Sequence, residues 1–153
     1  YHQEKFPEAI NVYLWSLKLC PQNRNNLYIN YLIGASYQKT GNISRARACF
    51  EQALHLLPKP SDKIDKVIPL SGSLPVQLGD SLYKNKDYKA AAEVYNKVLK
   101  LPGLKDMAPW MIYQLARSYQ KQGLKKEARK AYRELLSQTN DPFWKDLAQV
   151  WLD

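Results

Sequence analysis

One phrase occurs twice in this chain. It reads YLIGASYQKTG at residues 31–41 and YQLARSYQKQG at residues 113–123, and its central Ser-Tyr-Gln-Lys is identical in both places. A related stretch, VQLGDSLYKNKDY, lies between them at 76–88. Repetition at intervals of a few tens of residues is typical of arrays in which each copy buries its apolar face against the next. The repeated phrase therefore constrains the fold more strongly than composition does.

Each copy of the phrase is followed by a segment with helical spacing. In the first copy, Ala46, Phe50 and Leu54 recur every four residues, which places them on one face of a helix. A small residue such as Gly34 lets two packed helices approach closely. Gly41 falls where the first helix must end, because glycine adopts a left-handed C-cap at the lowest energetic cost. Each copy is therefore predicted to form a helical hairpin.

These positions resemble the tetratricopeptide repeat family, whose units of about 34 residues carry small and aromatic residues at fixed places. The matching residues are Ile33, Gly34, Tyr37, Gly41, Ala46, Phe50, Ala53 and Pro58 in the first copy, Leu78, Gly79, Leu82, Tyr88, Ala91, Tyr95 and Val98 in the second, and Leu115, Ala116, Tyr119, Gly123, Ala128, Tyr132 and Leu135 in the third. The resemblance implies an all-α fold, a right-handed superhelical stack of helix-turn-helix repeats.

The predicted organisation is a single repeat domain within a longer protein, because the chain starts in the middle of a repeat. The ranges are 1–21 for a partial repeat, 27–59, 72–105 and 109–140 for three full repeats, 60–71 for an inserted loop and 141–153 for a C-terminal capping helix. The prolines and glycine near the loop exclude one continuous helix there. We interpret the loop as a spacer; the alternative is a loop that contacts a partner.

The last helix has its own start signal. Asp141 is a good N-cap and Pro142 suits the first helical position. An apolar face follows, and we interpret its two tryptophans, Trp144 and Trp151, as core residues of a helix that covers the end of the array. The alternative is that this helix begins a further repeat.

The family resemblance also implies a site, since the first helices of tetratricopeptide repeats line a concave groove that commonly binds an extended peptide or a partner helix. The matching groove residues are Tyr28, Tyr31, Gln38 and Lys39 in the first repeat, Gln77, Asp80 and Lys84 in the second, and Trp110, Tyr113, Arg117, Gln120 and Lys121 in the third. Ala35, Ser73, Val76 and Tyr83 occupy equivalent positions. This aromatic and basic set favours a protein or peptide partner with acidic or aromatic residues.

A basic segment at 124–135 lies on a predicted second helix. Its cations are Lys125, Lys126, Arg129, Lys130 and Arg133. We interpret it as a solvated outer face, with Glu127 and Glu134 offsetting part of the charge through i,i+3 and i,i+4 pairs. A docking surface for an acidic protein or for nucleic acid is the alternative.

Two alternatives to binding a partner protein remain open from the sequence. The formal net charge is +9, so binding of single-stranded nucleic acid through basic and aromatic surface is one alternative. It is the weaker one, because most aromatic residues occupy packing positions of the repeat. Self-association of the array into a homo-oligomer is another.

Catalysis, metal binding and membrane insertion are not predicted. The chain has no G-x-S-x-G, P-loop, dinucleotide-binding or HExxH motif, so we expect no enzyme and no cofactor. The chain has two cysteines, two histidines and no CxxC pair, so a structural zinc site, which needs about four ligands, is not predicted. We interpret Cys20 and Cys49 as buried free thiols, and a disulfide between them is the alternative. No apolar run approaches the roughly 20 residues of a membrane span. We expect a soluble protein with no visible targeting segment and leave its compartment open.

Overall fold

The computed structural model describes residues 5–57, 59, 74–101 and 105–153. Every regular element in these ranges is helical, so the predicted all-α class is confirmed. The α-helices are α1 (Lys5–Leu19), α2 (Leu27–Lys39), α3 (Ile43–His55), α4 (Leu74–Lys84), α5 (Tyr88–Val98), α6 (Ala108–Lys121), α7 (Lys125–Gln138) and α8 (Pro142–Leu152). Short 3-10 turns precede α2 and α6, at Pro21–Asn25 and Lys105–Met107. The inserted loop predicted at 60–71 lies outside the described residues.

Packing divides the chain into two compact units, Tyr1–Pro58 and Lys59–Asp153. The first unit contains α1 to α3, and the second contains α4 to α8. Within each unit, helices that follow one another in the chain pack together. The pairs α2–α3, α4–α5 and α6–α7 are the three hairpins predicted from the repeats.

The three hairpins turn in the same way. In each turn, one residue with positive φ is followed by a residue whose N–H donates to a carbonyl five positions earlier, as in a Schellman C-cap. The bonds are Asn42 N to Tyr37 O at 2.9 Å, Asp87 N to Leu82 O at 3.0 Å, and Leu124 N to Tyr119 O at 2.9 Å. The residues with positive φ are Gly41, Lys86 and Gly123. The repeated phrase therefore encodes a specific turn.

Aromatic rings of the second helices pack directly on the backbone of the first helices. A Cβ on Gly34 would lie 2.6 Å from Cε1 of Phe50, and a Cβ on Gly79 would lie 2.7 Å from Cε1 of Tyr95. Both rings are fully buried. The glycines are therefore required sterically, because a methyl group at either position would overlap a ring that has no room to move.

Helix α8 begins and packs as its start signal predicts, but its tryptophans lie elsewhere than expected. The carboxylate of Asp141 accepts a hydrogen bond from Phe143 N at 2.9 Å, and Ala148 is buried against the core of the second unit. Trp144 is half-buried and Trp151 is 41 % exposed. The prediction that Trp151 is a core residue is wrong, because Ala148 takes the central place on the buried face.

Candidate functional site

An aromatic and charged cluster lies in the second unit, where α6 contacts α4 and α8. Helix α6 contributes Trp110, Tyr113 and Arg117 at positions i, i+3 and i+7, which share one face of a helix. We call the α6 cluster the set formed by these residues with Asp80 of α4 and with Trp144 and Trp151 of α8.

Asp80 holds Trp110 in place. The indole Nε1 of Trp110 donates to both carboxylate oxygens of Asp80, at 3.1 Å and 3.3 Å. The buried hydroxyl of Tyr95 donates to Asp80 Oδ1 at 2.5 Å. Burial, together with the neighbouring Asp80 carboxylate, raises the pKa of Tyr95 far above its usual range, so the phenol stays a neutral donor. The carboxylate of Asp80 is thereby committed to contacts within the protein.

Three rings of the cluster contact one another. The centroid distances are 6.5 Å for Trp110–Tyr113, 6.4 Å for Trp110–Trp144 and 5.9 Å for Tyr113–Trp144. All three fall within the range of about 4.5–7 Å in which tilted and edge-on aromatic pairs are favourable. Trp110 is nevertheless 38 % exposed. The cluster therefore presents a large aromatic surface to solvent. Contacts with neighbouring residues hold the side chains of this surface in place.

Arg117 lies between two rings of the cluster. Its guanidinium carbon is 5.8 Å from the centroid of Tyr113 and 5.9 Å from that of Trp151, within cation–π range. One guanidinium nitrogen donates to Tyr113 OH at 3.1 Å. That hydrogen bond raises the pKa of Arg117, and partial burial opposes the effect, so the group remains charged. In the described part of the chain no carboxylate pairs with Arg117.

Tyr83 carries a buried hydroxyl at the C-terminal end of α4. Its ring packs edge-on against Tyr88 at 5.1 Å. The hydroxyl has no hydrogen-bond partner among the described residues. A buried hydroxyl without a partner costs about 1–3 kcal/mol.

Four of the predicted groove residues, Asp80, Trp110, Tyr113 and Arg117, are thus joined by direct contacts. In the same unit, Gln120 accepts a hydrogen bond from Tyr132 OH at 3.4 Å, and Gln77, Lys84 and Lys121 are exposed on α4 and α6. Val76, which the spacing also assigns to the groove, is 2 % exposed. That assignment is wrong, because Val76 packs in the core. Ser73 lies outside the described residues.

The first unit carries the remaining predicted groove residues on α2. Tyr28 and Lys39 are exposed, whereas Gln38 is half-buried. Tyr31 is also half-buried, and its ring lies 6.0 Å from that of Phe50. Tyr31 therefore contributes partly to packing, and Tyr28 offers the larger free aromatic surface.

Sequence reasoning missed the contribution of α8 to the cluster. Leu147-Ala148 in α8 repeats Leu115-Ala116 in α6, the pair that marks a first helix. In this register, however, Trp144 and Trp151 correspond to Ile112 and Tyr119 of α6 rather than to its groove residues. The sequence therefore carried no signal for these two tryptophans, and only the packed structure assigns them to the cluster.

Other kinds of site find no support among the described residues. No three His, Cys, Asp or Glu side chains there are grouped closely enough to hold a metal ion. None of the helices described is both long and apolar enough to cross a membrane. Cys20 and Cys49 are free thiols, and burial raises the pKa of Cys49, which makes it less nucleophilic.

The fold and its site define an all-helical repeat protein built from helical hairpins. Models of the tetratricopeptide repeat match residues 31–105 and 111–138, which together include most of the chain. The chain belongs to the tetratricopeptide repeat family. Repeats of this family serve in general as protein–protein interaction scaffolds and are in general not enzymes, and membership supports that broad role here.

The known proteins that are similar to this chain include the following two. The TPR repeat-containing protein MJ1428 of Methanocaldococcus jannaschii is 28% identical over 112 residues, which cover 68% of this chain and 19% of that protein. The chain thus spans about a fifth of the length of this curated relative. The crystal structure of MamA matches with a TM-score of 0.57 at 19% identity, over 96% of this chain and 84% of that one. At this identity the likeness concerns the fold alone.

Proposed function

We propose that this chain is a non-enzymatic scaffold that binds an extended segment of a partner protein, and that in the second unit the segment lies on the α6 cluster. One observation carries the proposal. The charged Arg117 is oriented by Tyr113 and Trp151 but has no carboxylate partner among the described residues. A guanidinium has five N–H donors, so a carboxylate from a partner can bind there.

The rings around Arg117 suit binding of a protein segment. Tryptophan, tyrosine and arginine dominate the energetics of protein interfaces, and the cluster combines all three types. Trp110 is held by Asp80 and by its aromatic neighbours, so little side-chain entropy remains to be lost when a partner binds. Gln77 of α4 is exposed and extends the proposed contact surface within the second unit, and Tyr28 offers a separate exposed ring in the first unit.

Nucleic acid suits the same surface less well. Stacking of bases requires exposed rings, whereas the rings of Phe50, Tyr95 and Tyr132 are buried in the hairpins. The burial of these rings favours a protein partner despite the net charge of +9.

Affinity capture with matched variants tests the proposal. The chain is immobilised and exposed to lysate of its source organism, with nuclease added, alongside Arg117→Gln and Arg133→Gln. Both variants lose one positive charge, but Arg133 is an exposed residue of α7 outside the cluster. We expect specific partners on the unmodified chain and on Arg133→Gln, and their loss on Arg117→Gln. Circular dichroism and thermal melting verify that all three baits are folded.

Two results would contradict the proposal. Equal capture by all three baits would mean that the α6 cluster is not the contact surface. Capture that every bait shows only in a parallel run without nuclease would mean that nucleic acid mediates the binding.

A further inference from the structure

A second feature lies next to the α6 cluster. A cleft of about 280 Å³ opens beside the turn between α6 and α7 and is lined by Gln120, Lys125, Arg129, Tyr132 and Trp151. Its walls thus combine two cations with an aromatic ring that already belongs to the cluster. The sequence favours a solvated face for these cations, with a docking surface for an acidic protein or for nucleic acid as the alternative.

The size of the cleft favours side chains over a small molecule. Pockets that bind small ligands typically measure about 300–1,000 Å³ and are well enclosed, whereas this cleft is at the small end of that range and is open to solvent. One or two side chains of a bound segment would fit it.

No ion pair links a cation of α7 to a carboxylate among the described residues. The i,i+3 and i,i+4 pairs expected from Glu127 and Glu134 do not form. Ion pairs such as Arg47–Glu51 and Lys97–Glu93 lie on other helices. The carboxylate of Glu134 instead accepts a hydrogen bond from Gln138 at 3.0 Å. Lys125 and Arg129 therefore keep an unbalanced positive charge at the cleft.

Trp151 connects the cleft with Arg117. Its ring lies parallel to that of Tyr132, with an interplanar angle of 12° and a centroid distance of 6.3 Å. The guanidinium of Arg117 lies over the same indole at 5.9 Å. Three cations, Arg117, Lys125 and Arg129, are thereby arranged around one partly exposed aromatic ring.

We infer that this cleft receives the acidic side chains of the partner segment, so that the partner is an acidic peptide which crosses Trp151 from the α6 cluster to the start of α7. The inference rests on the proposed function. It adds the cleft as a contact for the partner and narrows the expected partner, acidic or aromatic, to an acidic one. Charge complementarity carries it, since the cleft offers cations without counter-charges next to an aromatic contact surface. A nucleic acid is disfavoured, because its affinity depends on many phosphate contacts along a strand and the cleft provides two cations.

Two labelled peptides and matched charge reversals on α7 test the inference. One fluorescein-labelled peptide repeats Glu-Ser-Glu-Phe three times, and its control repeats Gln-Ser-Gln-Phe. Fluorescence anisotropy measures their binding to the chain and to Arg129→Glu and Lys130→Glu. Both variants change the net charge equally, but Lys130 does not line the cleft. We expect the acidic peptide to bind about tenfold more weakly to Arg129→Glu and to change by less than about twofold with Lys130→Glu.

Several results would overturn the inference. The first two are equal affinity of the chain for the two peptides and an equal loss of affinity in the two variants. The others are no binding of the acidic peptide up to about 1 mM and binding of an oligo-dT strand that is tighter than binding of the acidic peptide. They are distinguishable from failure of the proposed function, because partner capture that depends on Arg117 but is unaffected by Arg129→Glu would leave the proposed function intact. Arg129 is exposed on α7, so its reversal is not expected to unfold the chain, and melting curves verify this.

Discussion

At the scale of single residues, Lys86 occupies a backbone conformation that the other two hairpin turns assign to glycine. Its φ is 61°, compared with 80° for Gly41 and 77° for Gly123. For a residue with a Cβ this conformation costs about 1–2 kcal/mol. The turn forms nevertheless, because Asp87 caps α5 by accepting from Ala90 N and its own N–H donates to Leu82 O.

Replacing Lys86 with glycine should therefore stabilise the chain. The relief of strain exceeds the extra entropy of glycine in the unfolded state, and we expect Lys86→Gly to raise the free energy of unfolding by about 0.5–1 kcal/mol. Urea denaturation measures the change. The control, Lys130→Gly in the middle of α7, should lower stability by about 0.5–1 kcal/mol. A loss of stability in Lys86→Gly would show that its φ is not the source of strain.

At the scale of helices, the contact between an aromatic ring of the second helix and the backbone of the first helix sets the distance between the two helices of a hairpin. The first two hairpins combine glycine with an aromatic ring, Gly34 with Phe50 and Gly79 with Tyr95. The third hairpin has alanine at the corresponding position. Ala116 is fully buried and belongs to the same hydrophobic core cluster as Tyr132. The third hairpin thus accommodates one more carbon atom at the same point.

We expect Gly79→Ala to destabilise the chain although alanine is the better helix former. Alanine gains about 1 kcal/mol of helix propensity, but its Cβ would lie 2.7 Å from the buried ring of Tyr95, and overpacking of this kind costs about 1–3 kcal/mol. A double-mutant cycle with Tyr95→Leu, followed by urea denaturation, separates the two effects. Gly79→Ala should become neutral or stabilising in the Tyr95→Leu background. An unchanged cost in that background would exclude the ring as the cause.

At the scale of the whole molecule, buried tyrosines make stability depend on alkaline pH. Burial is the main cause that raises the pKa of both Tyr95 and Tyr132 above the ordinary value, which is near 10. Above that pH the unfolded chain loses these protons while the folded chain retains them. The unfolded state then binds fewer protons, so the free energy of unfolding falls as pH rises.

The contribution of these two tyrosines to the free energy of unfolding should therefore be constant below about pH 9 and fall above about pH 10. Each proton retained only by the folded state contributes a slope of up to about 1.4 kcal/mol per pH unit. Tyr132→Phe removes one such proton at the cost of a long hydrogen bond to Gln120, so its stability should fall less steeply. Urea unfolding across this pH range measures both slopes. Parallel slopes for the two proteins would rule out Tyr132 as a contributor.

Local chemistry along the chain was sufficient to predict the helices and their turns. Gly41 and Gly123 indicate the hairpin turns, and Asp141 indicates the start of α8, because caps and positive φ depend on neighbouring residues. Small and aromatic residues at helical spacing indicate which faces pack, as with Gly34 and Phe50. These features are repeated in the sequence because each hairpin forms the same kind of turn and the same kind of contact between its two helices.

Tertiary structure decided which side chains form the candidate site. The family resemblance implied a groove position for Val76, and the apolar face of α8 indicated a core position for Trp151; the structure reverses both. The hydrogen bonds from Trp110 and Tyr95 to Asp80 and the position of Arg117 over Trp151 join residues of four different helices. Such contacts depend on the angles and distances between packed helices. A periodic pattern specifies the face of a helix, whereas only the packed unit determines which residues that face meets.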